Sequence, residues 1–471
     1  MKKTIIRLGY CPTRRDVFSR EAAIAYGKRI REVLTNYPVE IIDLSGINEE
    51  ELLFCEADVQ PVIRRFREAE VDAVFFPHCN FGSENCVAQV AAALKVPTLL
   101  WGPRDDAPDG DGFRNRDSQC GLFATGKVLR RHNVPFTYLT NTVLDSADFC
   151  EGLDKFLRVA NVVKAVRGLK ILQISTRPAL FCSVICNENE LIEQFGIQCC
   201  PVTLDDLVTE MQFQIDSESV AYRDTLSKIE TIGACGGSDL DKQRVAGLKA
   251  AIRVMAEAHG CRAAAVQCWD SMQHLLNVMP CMANAMLCDE GLPVVCETDI
   301  HGAITAVMTQ ATSLDMEPQF FADVTVRHPY DDNAELLWHC GNAPYSLAKD
   351  PLAARVSCNR YNADRFGIAE WQLKDGEVTI ARFDGDHGDY RLLIGEAVTV
   401  DGPKNVGSYA WIKVGNWPLW EHRLVKGPYI HHVSMVYGCY GDILLEACRY
   451  IPGLTPDVVE PAQTELEARW L

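Results

Sequence analysis

The sequence predicts two doubly wound, Rossmann-like α/β domains built on parallel sheets, followed by a C-terminal antiparallel domain that resembles a β-barrel. Up to about residue 318 of the 471 residues, nearly continuous apolar strands alternate with amphipathic helices, which is typical of parallel sheets covered by helices. The alternation restarts near residue 167, and from about residue 319 apolar and polar residues alternate between turns rich in Gly and Asp. We therefore expect domains at 1–166, 167–318 and 319–471, in line with about 150 residues per domain.

The first domain is expected to begin with a strand over residues 4–10 and a helix over residues 19–35, with Ser19 as the N-cap. A later strand ends in the segment PHCNFGSENC at residues 77–86, which carries Asn80. Because open α/β sheets bind ligands at the carboxyl ends of their strands, Asn80 is a candidate binding residue. The alternative is that this segment only begins the next helix, with Ser83 as its N-cap.

The second domain is expected to begin with the strand LKILQIST, and it contains a helical stretch over about residues 217–259 that Gly236 and Gly237 interrupt. Two apolar strands follow, CRAAAVQCWDS and LPVVCETD, and these carry Gln267 and Glu297. The third domain is expected to contain the strands FFADVTVRH, EVTIARFDG, YRLLIGEAVTV and SYAWIKVG, and to end with the helix DILLEACRYI.

Composition excludes several classes of protein. A formal charge of −18 without a long Lys/Arg stripe argues against nucleic acid or an anionic membrane as the main partner. No apolar run approaches the ~18 residues of a membrane span, and Arg7 interrupts the short apolar N-terminal run before a signal peptide could form. We therefore expect a cytoplasmic protein. The twenty cysteines contain no C-x-x-C pair, which argues against a structural zinc site.

Three residues between 296 and 339 are candidate ligands of a hard cation. Glu297 follows the apolar strand PVVC, Asp323 follows FFA at the start of the β-rich region, and His339 ends a later apolar run. Carboxylate oxygens suit Mg²⁺ or Mn²⁺, and an imidazole shifts the preference toward Mn²⁺ or another first-row metal such as Co²⁺. The alternative is two surface acids and a structural histidine.

A pair of histidines at 431 and 432 lies in the apolar run KGPYIHHVSMVYG. Neighbouring side chains of a strand point to opposite faces, so we expect one imidazole to face any site that exists. The alternative is a core histidine bonded to a backbone carbonyl. Trp417 and Trp420 in NWPLW offer aromatic faces for a sugar, although such residues also pack in cores.

Several motifs together carry a family resemblance. They are E-T-D-x-x-G-A at 297–303, F-F-A-D-V at 320–324, N-W-P-x-W at 416–420 and H-H-V at 431–433, with G-Y-C-P-T-R-R at 9–15 and F-G-S-E at 81–84. This set resembles the L-fucose isomerase and L-arabinose isomerase superfamily, and it is closer to the fucose isomerase side. The resemblance spans nearly the whole chain.

The resemblance implies a metal-dependent aldose–ketose isomerase that acts on a free sugar through a cis-enediolate intermediate. It implies Mn²⁺, with Mg²⁺ or Co²⁺ as alternatives, held by Glu297, Asp323 and His432. The two carboxylates, Glu297 and Asp323, are then also the catalytic groups that transfer protons. His339 falls where arabinose isomerases place an additional ligand, which gives it an auxiliary role at the site.

The resemblance also implies a homo-oligomer, often a hexamer, in which the N-terminal domain of a neighbouring subunit completes the active site. That arrangement would bring Arg14 or Arg15 to the substrate, while Gln267 and Trp417 match positions that line the sugar site. Arg14, Arg15 and Arg177 motivate an alternative, an isomerase of an aldose that carries a phosphate or sulfonate. A second alternative is a non-catalytic sugar-binding protein.

Overall fold

The computed structural model describes residues 1, 3–361 and 364–471. Its contacts divide the chain into two compact units. One contains Lys3–Lys164 and Thr464–Leu471, and the other contains Met1 and Ala165–Gln463. The larger unit holds both a parallel sheet and a barrel, and the division of the chain at residues 166 and 318 stays a prediction.

The smaller unit is built on one five-stranded parallel sheet with the order β2-β1-β3-β4-β5. Its strands are β1 (Ile6–Tyr10), β2 (Val39–Ile42), β3 (Ala73–Pro77), β4 (Thr98–Trp101) and β5 (Thr137–Tyr138). Its helices are α1 (Arg20–Leu34), α2 (Glu56–Glu68), α3 (Glu84–Leu94), α4 (Ser118–Arg131) and α5 (Ala147–Val166).

Helices cover both faces of this sheet, which explains its nearly continuous apolar strands. Phe75 packs with Trp101 and Phe149 on one face, whereas its neighbour Phe76 packs with Phe66 on the other. All of these side chains are buried. The predicted N-cap of the first helix is confirmed, because the Ser19 hydroxyl oxygen accepts a hydrogen bond from the Ala22 amide.

The larger unit begins with a four-stranded parallel sheet of order β7-β6-β8-β9. Its strands are β6 (Lys170–Ile174), β7 (Gln198–Val202), β8 (Ala263–Val266) and β9 (Val294–Cys296). Its helices are α6 (Glu188–Glu190), α7 (Leu204–Asp216), α8 (Val220–Ile232), α9 (Asp239–His259), α10 (Gln273–Leu276), α11 (Cys281–Asp289) and α12 (Ile300–Ala311).

The helical stretch expected over 217–259 is two helices, α8 and α9. Gly233, Gly236 and Gly237 separate them, and all three have positive φ angles, which residues with a Cβ rarely adopt. The second helix then begins at a capping box, in which Ser238 and Asp241 each bond to the backbone of the other.

Six antiparallel strands of the larger unit close into a barrel in the order β16-β11-β10-β17-β14-β15, and β15 also pairs with β16. The strands of this region are β10 (Phe320–Arg327), β11 (Ala334–His339), β12 (Arg355–Asn359), β13 (Arg365–Gln372), β14 (Glu377–Asp386), β15 (Asp389–Val400), β16 (Ser408–Lys413), β17 (His432–Tyr437) and β18 (Leu454–Glu460). Its helices are α13 (Trp417–Lys426) and α14 (Gly441–Cys448), whereas the last helix, α15 (Gln463–Ala468), belongs from Thr464 onward to the smaller unit.

This architecture confirms the predicted fold class of two doubly wound parallel sheets followed by an antiparallel barrel. Among the described helices, none has the length and apolar character needed to cross a membrane.

Candidate active site

Glu297 lies in a tight turn between strand β9 and helix α12. Glu297 and Thr298 have φ angles of 65° and 53°, a left-handed conformation that is uncommon for residues other than glycine. The turn is held at both sides, because the Thr298 amide donates to the Val266 carbonyl at 3.0 Å and its hydroxyl donates to the Thr176 carbonyl at 3.1 Å. Backbone strain of this kind is concentrated at functional sites, where surrounding contacts maintain it.

Asp323 and His432 come from neighbouring antiparallel strands of the barrel. They are register partners on β10 and β17, so their side chains emerge on the same face. The Phe321 ring, two residues before Asp323, packs edge-on against the His432 imidazole with the ring centres 4.9 Å apart. The barrel therefore fixes both the spacing of this pair and the plane of the imidazole.

These three side chains converge in a buried cluster. His432 Nε2 lies 3.0 Å from Glu297 Oε2 and 3.4 Å from Asp323 Oδ1. Glu297 and His432 are only 6% and 0% exposed. Among the described residues, none of these three atoms has a hydrogen-bond partner of acceptable geometry. Buried polar atoms are normally paired, so two carboxylate oxygens and an imidazole nitrogen left unpaired together fit a divalent cation.

His431 stands beside the cluster as an additional candidate ligand. Glu297, His431 and His432 each offer one ligand atom, and these atoms lie within 4.8 Å of one another. His431 Nε2 also lies 4.0 Å from Asp323 Oδ1, and the side chain of His431 is 53% exposed. The strand β17 begins only at His432. Because His431 precedes the strand, the rule that neighbouring side chains point to opposite faces does not apply to it, and both imidazoles can lie at the site.

The electrostatics of the cluster favour a positive charge at its centre. Burial lowers the pKa of His432, but the neighbouring carboxylates of Asp299 and Glu297 outweigh this and raise it to about 9. Burial raises the pKa of Asp323 to about 6, against the lowering effect of His339 and His432. Burial and the neighbouring His432 lower the pKa of His431 to about 4.

His339 presents a donor to this site. Its Nδ1 accepts a hydrogen bond from the Cys340 amide at 3.0 Å, so the neutral ring carries its proton on Nε2. Nε2 is buried and, among the described residues, unpaired. A protonated nitrogen donates hydrogen bonds and does not ligate a metal, which fits the auxiliary role that we expect for this residue.

Gln267 lies with Glu297 at the carboxyl ends of neighbouring parallel strands, whereas Trp417 lies elsewhere in the larger unit. Gln267 follows β8, the neighbour of β9, and its Oε1 accepts a hydrogen bond from the Ser175 hydroxyl at 2.7 Å. Trp417 is buried at the start of α13, where its amide donates to Asn333 Oδ1. Asn333 lies six residues before His339 along β11, which corresponds to about 20 Å of strand.

Three further candidates lie together in the smaller unit. Arg14 is paired with Glu50, and Arg15 Nη2 lies 3.1 Å from Glu84 Oε1. Asn80 Oδ1 accepts from the Arg15 amide at 2.8 Å, and its amide group donates to two main-chain carbonyls. Asn80 therefore holds its own loop against the loop that carries Arg15. Ser83 occupies the N-cap position of α3, as the alternative interpretation expects, but its side chain makes no capping hydrogen bond.

A cavity of about 730 Å³ in the larger unit lies apart from the candidate ligands. It is lined by residues that include Arg355, Glu370, Trp371 and Tyr409, and none of the predicted site residues contributes to it. The cavity therefore adds no residue to the candidate site.

Asp299, which was not among the candidate residues, contacts the site through its Oδ2, 2.8 Å from His432 Nδ1. Its sequence signals were its place in the E-T-D motif and its position before a helix, which predicts an N-cap. It does cap α12, because its side chain accepts a hydrogen bond from the Gly302 amide. Its contact with His432 joins residues that are 133 positions apart, and no local sequence pattern predicts a contact over that separation.

Two family models match the chain. The N-terminal domain of fucose/sulfoquinovose isomerase matches residues 9–167, and the C-terminal domain of L-fucose isomerase matches residues 337–453. The chain belongs to the fucose isomerase-like family. This confirms the resemblance that its sequence motifs carry.

Three relatives carry the name sulfoquinovose isomerase. The protein of Priestia megaterium is 25% identical over 444 residues, which cover 94% of this chain and 97% of the relative. Those of Alkalicoccus urumqiensis and Clostridium sp. (strain MSTE9) are 27% and 25% identical, and the alignments cover 71% and 78% of this chain and 73% and 81% of the relatives. The chain is an enzyme of the aldose–ketose isomerase class, and the non-catalytic sugar-binding alternative is not favoured.

Proposed function

We propose that this isomerase interconverts a sulfonated aldose and its ketose, with a divalent cation held by Glu297, Asp323 and His432. The observation that carries the proposal is the buried convergence of these side chains, which leaves an unpaired atom on each of them. The substrate class is supported by the relatives, which are named sulfoquinovose isomerase. It corresponds to the anionic-aldose alternative and not to a neutral free sugar.

The cation is Mn²⁺, with Mg²⁺ or Co²⁺ as substitutes, because the donor set combines carboxylate oxygens with imidazole nitrogen. When bound, it neutralises the negative charge that develops on two neighbouring substrate oxygens during isomerisation. His431 lies close enough to supply a further nitrogen. The burial of Glu297 and His432 excludes bulk water, which strengthens every charge interaction at this point.

The reaction moves a proton from C2 of the aldose to C1 through a cis-enediolate. One carboxylate removes and returns the carbon-bound proton, and a second group moves the hydroxyl proton. Glu297 and Asp323 supply the two carboxylates, which lie 3.0 and 3.4 Å from His432 Nε2. His339, whose Nε2 carries a proton, donates a hydrogen bond to a substrate oxygen.

Arg177 is the residue that we propose for the sulfonate. It follows Thr176, whose carbonyl accepts a hydrogen bond from the hydroxyl of Thr298, the residue after Glu297. Its guanidinium donates to the main-chain oxygens of Pro178 and Ala179, at 3.2 and 3.1 Å. Among the described residues it has no carboxylate within salt-bridge distance, in contrast to the paired Arg14 and Arg15. Guanidinium groups suit such anions because their donors form a rigid fork.

We also propose that the enzyme is a homo-oligomer in which a neighbouring subunit contributes Arg14 or Arg15. The support is the family resemblance and the partial exposure of Arg15, whose side chain is 34% exposed. Mixing an inactive Glu297→Gln chain with an inactive Arg15→Gln chain tests this. Recovery of activity in the mixed oligomer supports a shared site, and no recovery in verified mixed oligomers contradicts it.

A sugar panel tests the substrate class. Ketose formation is measured with Mn²⁺ for sulfoquinovose, a glucose that carries a sulfonate in place of its 6-hydroxyl, and for D-glucose, glucose 6-phosphate and L-fucose. We expect kcat/KM to be highest for sulfoquinovose. A preference for a neutral sugar would overturn the assignment of the substrate while leaving the isomerase class intact.

A further inference from the structure

The Asp299 carboxylate sits at the centre of a buried hydrogen-bond network. Its Oδ1 accepts from the Gly302 amide at 2.9 Å, which caps helix α12. Arg382 donates to both oxygens, through Nη1 to Oδ2 at 2.5 Å and through Nη2 to Oδ1 at 3.2 Å. The remaining contact joins Oδ2 to His432 Nδ1 at 2.8 Å. The carboxylate is only 1% exposed, so each of these contacts is made without water.

Arg382 keeps Asp299 in this position by a second set of bonds. The guanidinium is fully buried, and its Nε donates to Asp384 Oδ2 at 2.8 Å. Asp384 in turn contacts His301 Nδ1 at 2.9 Å. Two carboxylates on one guanidinium therefore clamp it in place. The bidentate geometry leaves Asp299 little freedom to turn away from His432.

Glycine at position 302 is needed for this arrangement. A Cβ at Gly302 would lie 2.6 Å from Asp299 Oδ2 and 2.6 Å from the ring of Phe321. Phe321 is also the ring that packs against His432. The Asp299 carboxylate and the Phe321 ring both support the His432 imidazole. Both can occupy their positions because residue 302 is a glycine without a side chain.

We propose that Asp299, clamped by Arg382, is the positioning residue that holds the proton of His432 on Nδ1 and aims the lone pair of Nε2 at Glu297 and Asp323. An imidazole binds a metal only through an unprotonated nitrogen, so the bond to Nδ1 decides whether Nε2 is a ligand. The inference rests on the proposed cation site, and it assigns a function to residues that do not themselves touch the cation.

The test is the affinity for Mn²⁺, measured by the EPR signal of the free ion during titration of metal-free protein. Asp299→Asn keeps a capping oxygen for Gly302, but its amide group donates to Nδ1 and so moves the proton of His432 to Nε2. We expect the dissociation constant to rise by about 10- to 100-fold, as for other residues that orient metal ligands. Asp384→Asn is the matched control, since it alters the same buried network without touching His432, and its affinity should stay within about threefold of wild type, half a logarithmic unit.

Three outcomes are distinguishable. Selective loss of affinity in Asp299→Asn supports the inference, while wild-type affinity in that variant or an equal loss in Asp384→Asn overturns it. If wild-type protein binds no Mn²⁺, the proposed cation site fails and the inference fails with it. Should Asp299→Asn not fold, Gly302→Ala replaces it, because this change displaces Asp299 or Phe321 while leaving every polar side chain present. The same loss of affinity is expected.

Discussion

Asp323 and His432 face each other across neighbouring strands of the barrel, with Oδ1 and Nε2 3.4 Å apart. Glu297 reaches the same imidazole nitrogen from the edge of the parallel sheet, at 3.0 Å. The site is therefore assembled where two differently built parts of one unit meet. The barrel sets the distance within one pair, and the left-handed turn after β9 brings in the third side chain.

Removing one carboxylate should abolish turnover. We expect Glu297→Gln and Asp323→Asn to lower kcat by about 10²- to 10⁴-fold or more, because each loses both a cation ligand and a group for proton transfer. Initial rates of ketose formation check this. Glu377→Gln, at an exposed position of β14, is the matched control and should retain wild-type kcat. Activity of either site variant near that of the control would contradict the proposed roles.

Removing the guanidinium of Arg177 should weaken binding of the sulfonated substrate. Losing a charge-assisted bond of about 1.5 to 3 kcal/mol corresponds to a rise in KM of about 10- to 150-fold in Arg177→Gln. The KM for a neutral aldose should not change. Arg262→Gln provides the control, since Arg262 is exposed at the opposite end of the same sheet, just before β8. An equal effect on neutral and sulfonated sugars would remove Arg177 from the sulfonate site.

Removing the buried guanidinium of Arg382 should destabilise the fold. Arg382→Met leaves Asp299 and Asp384 without their shared cation, and breaking a buried ion pair in this way costs about 3 to 5 kcal/mol. Urea unfolding of metal-free protein measures the free energy of unfolding. The corresponding change in the solvent-exposed pair, Arg391→Met beside Asp389, should alter it by less than about 1 kcal/mol. Equal effects of the two changes would contradict the structural importance of the buried network.

Acidification should weaken the smaller unit through His78. Burial lowers the pKa of this imidazole from 6.5 to about 4, and its Nδ1 is satisfied by the Phe81 carbonyl at 2.7 Å. Below pH 6.5 this histidine is protonated in the unfolded chain, whereas in the folded chain it is protonated only at about pH 4. Stability is therefore complete above pH 6.5 and falls as the pH drops toward 4, by up to about 3 kcal/mol.

The measurement for His78 is the urea midpoint at a series of pH values for wild type and His78→Gln. The glutamine amide retains a donor for the Phe81 carbonyl but does not titrate. The midpoint of the variant should depend less on pH between 6.5 and 4. Identical pH dependence of the two proteins would show that His78 is not responsible.

Local patterns were sufficient to predict the fold, but only part of the site. The alternation of strands and helices, and its change near residue 319, correspond directly to the two parallel sheets and the barrel. Glu297 was conspicuous because it follows a buried strand. His432 became a candidate ligand through the family resemblance, since an H-H pair alone leaves open which imidazole faces inward.

The residues that hold the candidate ligands in position could not be predicted from the local sequence. Arg382 lies within a strand of alternating pattern, and its partner Asp299 is 83 residues earlier. Arg14 was a candidate for substrate binding, yet it is held by Glu50, 36 residues later in the chain. Pairings of this kind depend on how distant segments pack, which hydrophobic periodicity does not report.

The most direct test of the cation-dependent isomerase is conversion of sulfoquinovose by metal-free protein in heavy water, followed by NMR before and after Mn²⁺ is added. We expect no ketose before addition, and afterwards a ketose that carries deuterium from the solvent at C1. Equal conversion without a divalent cation would contradict the assigned role of Glu297, Asp323 and His432. Ketose without deuterium would contradict proton transfer through an enediolate.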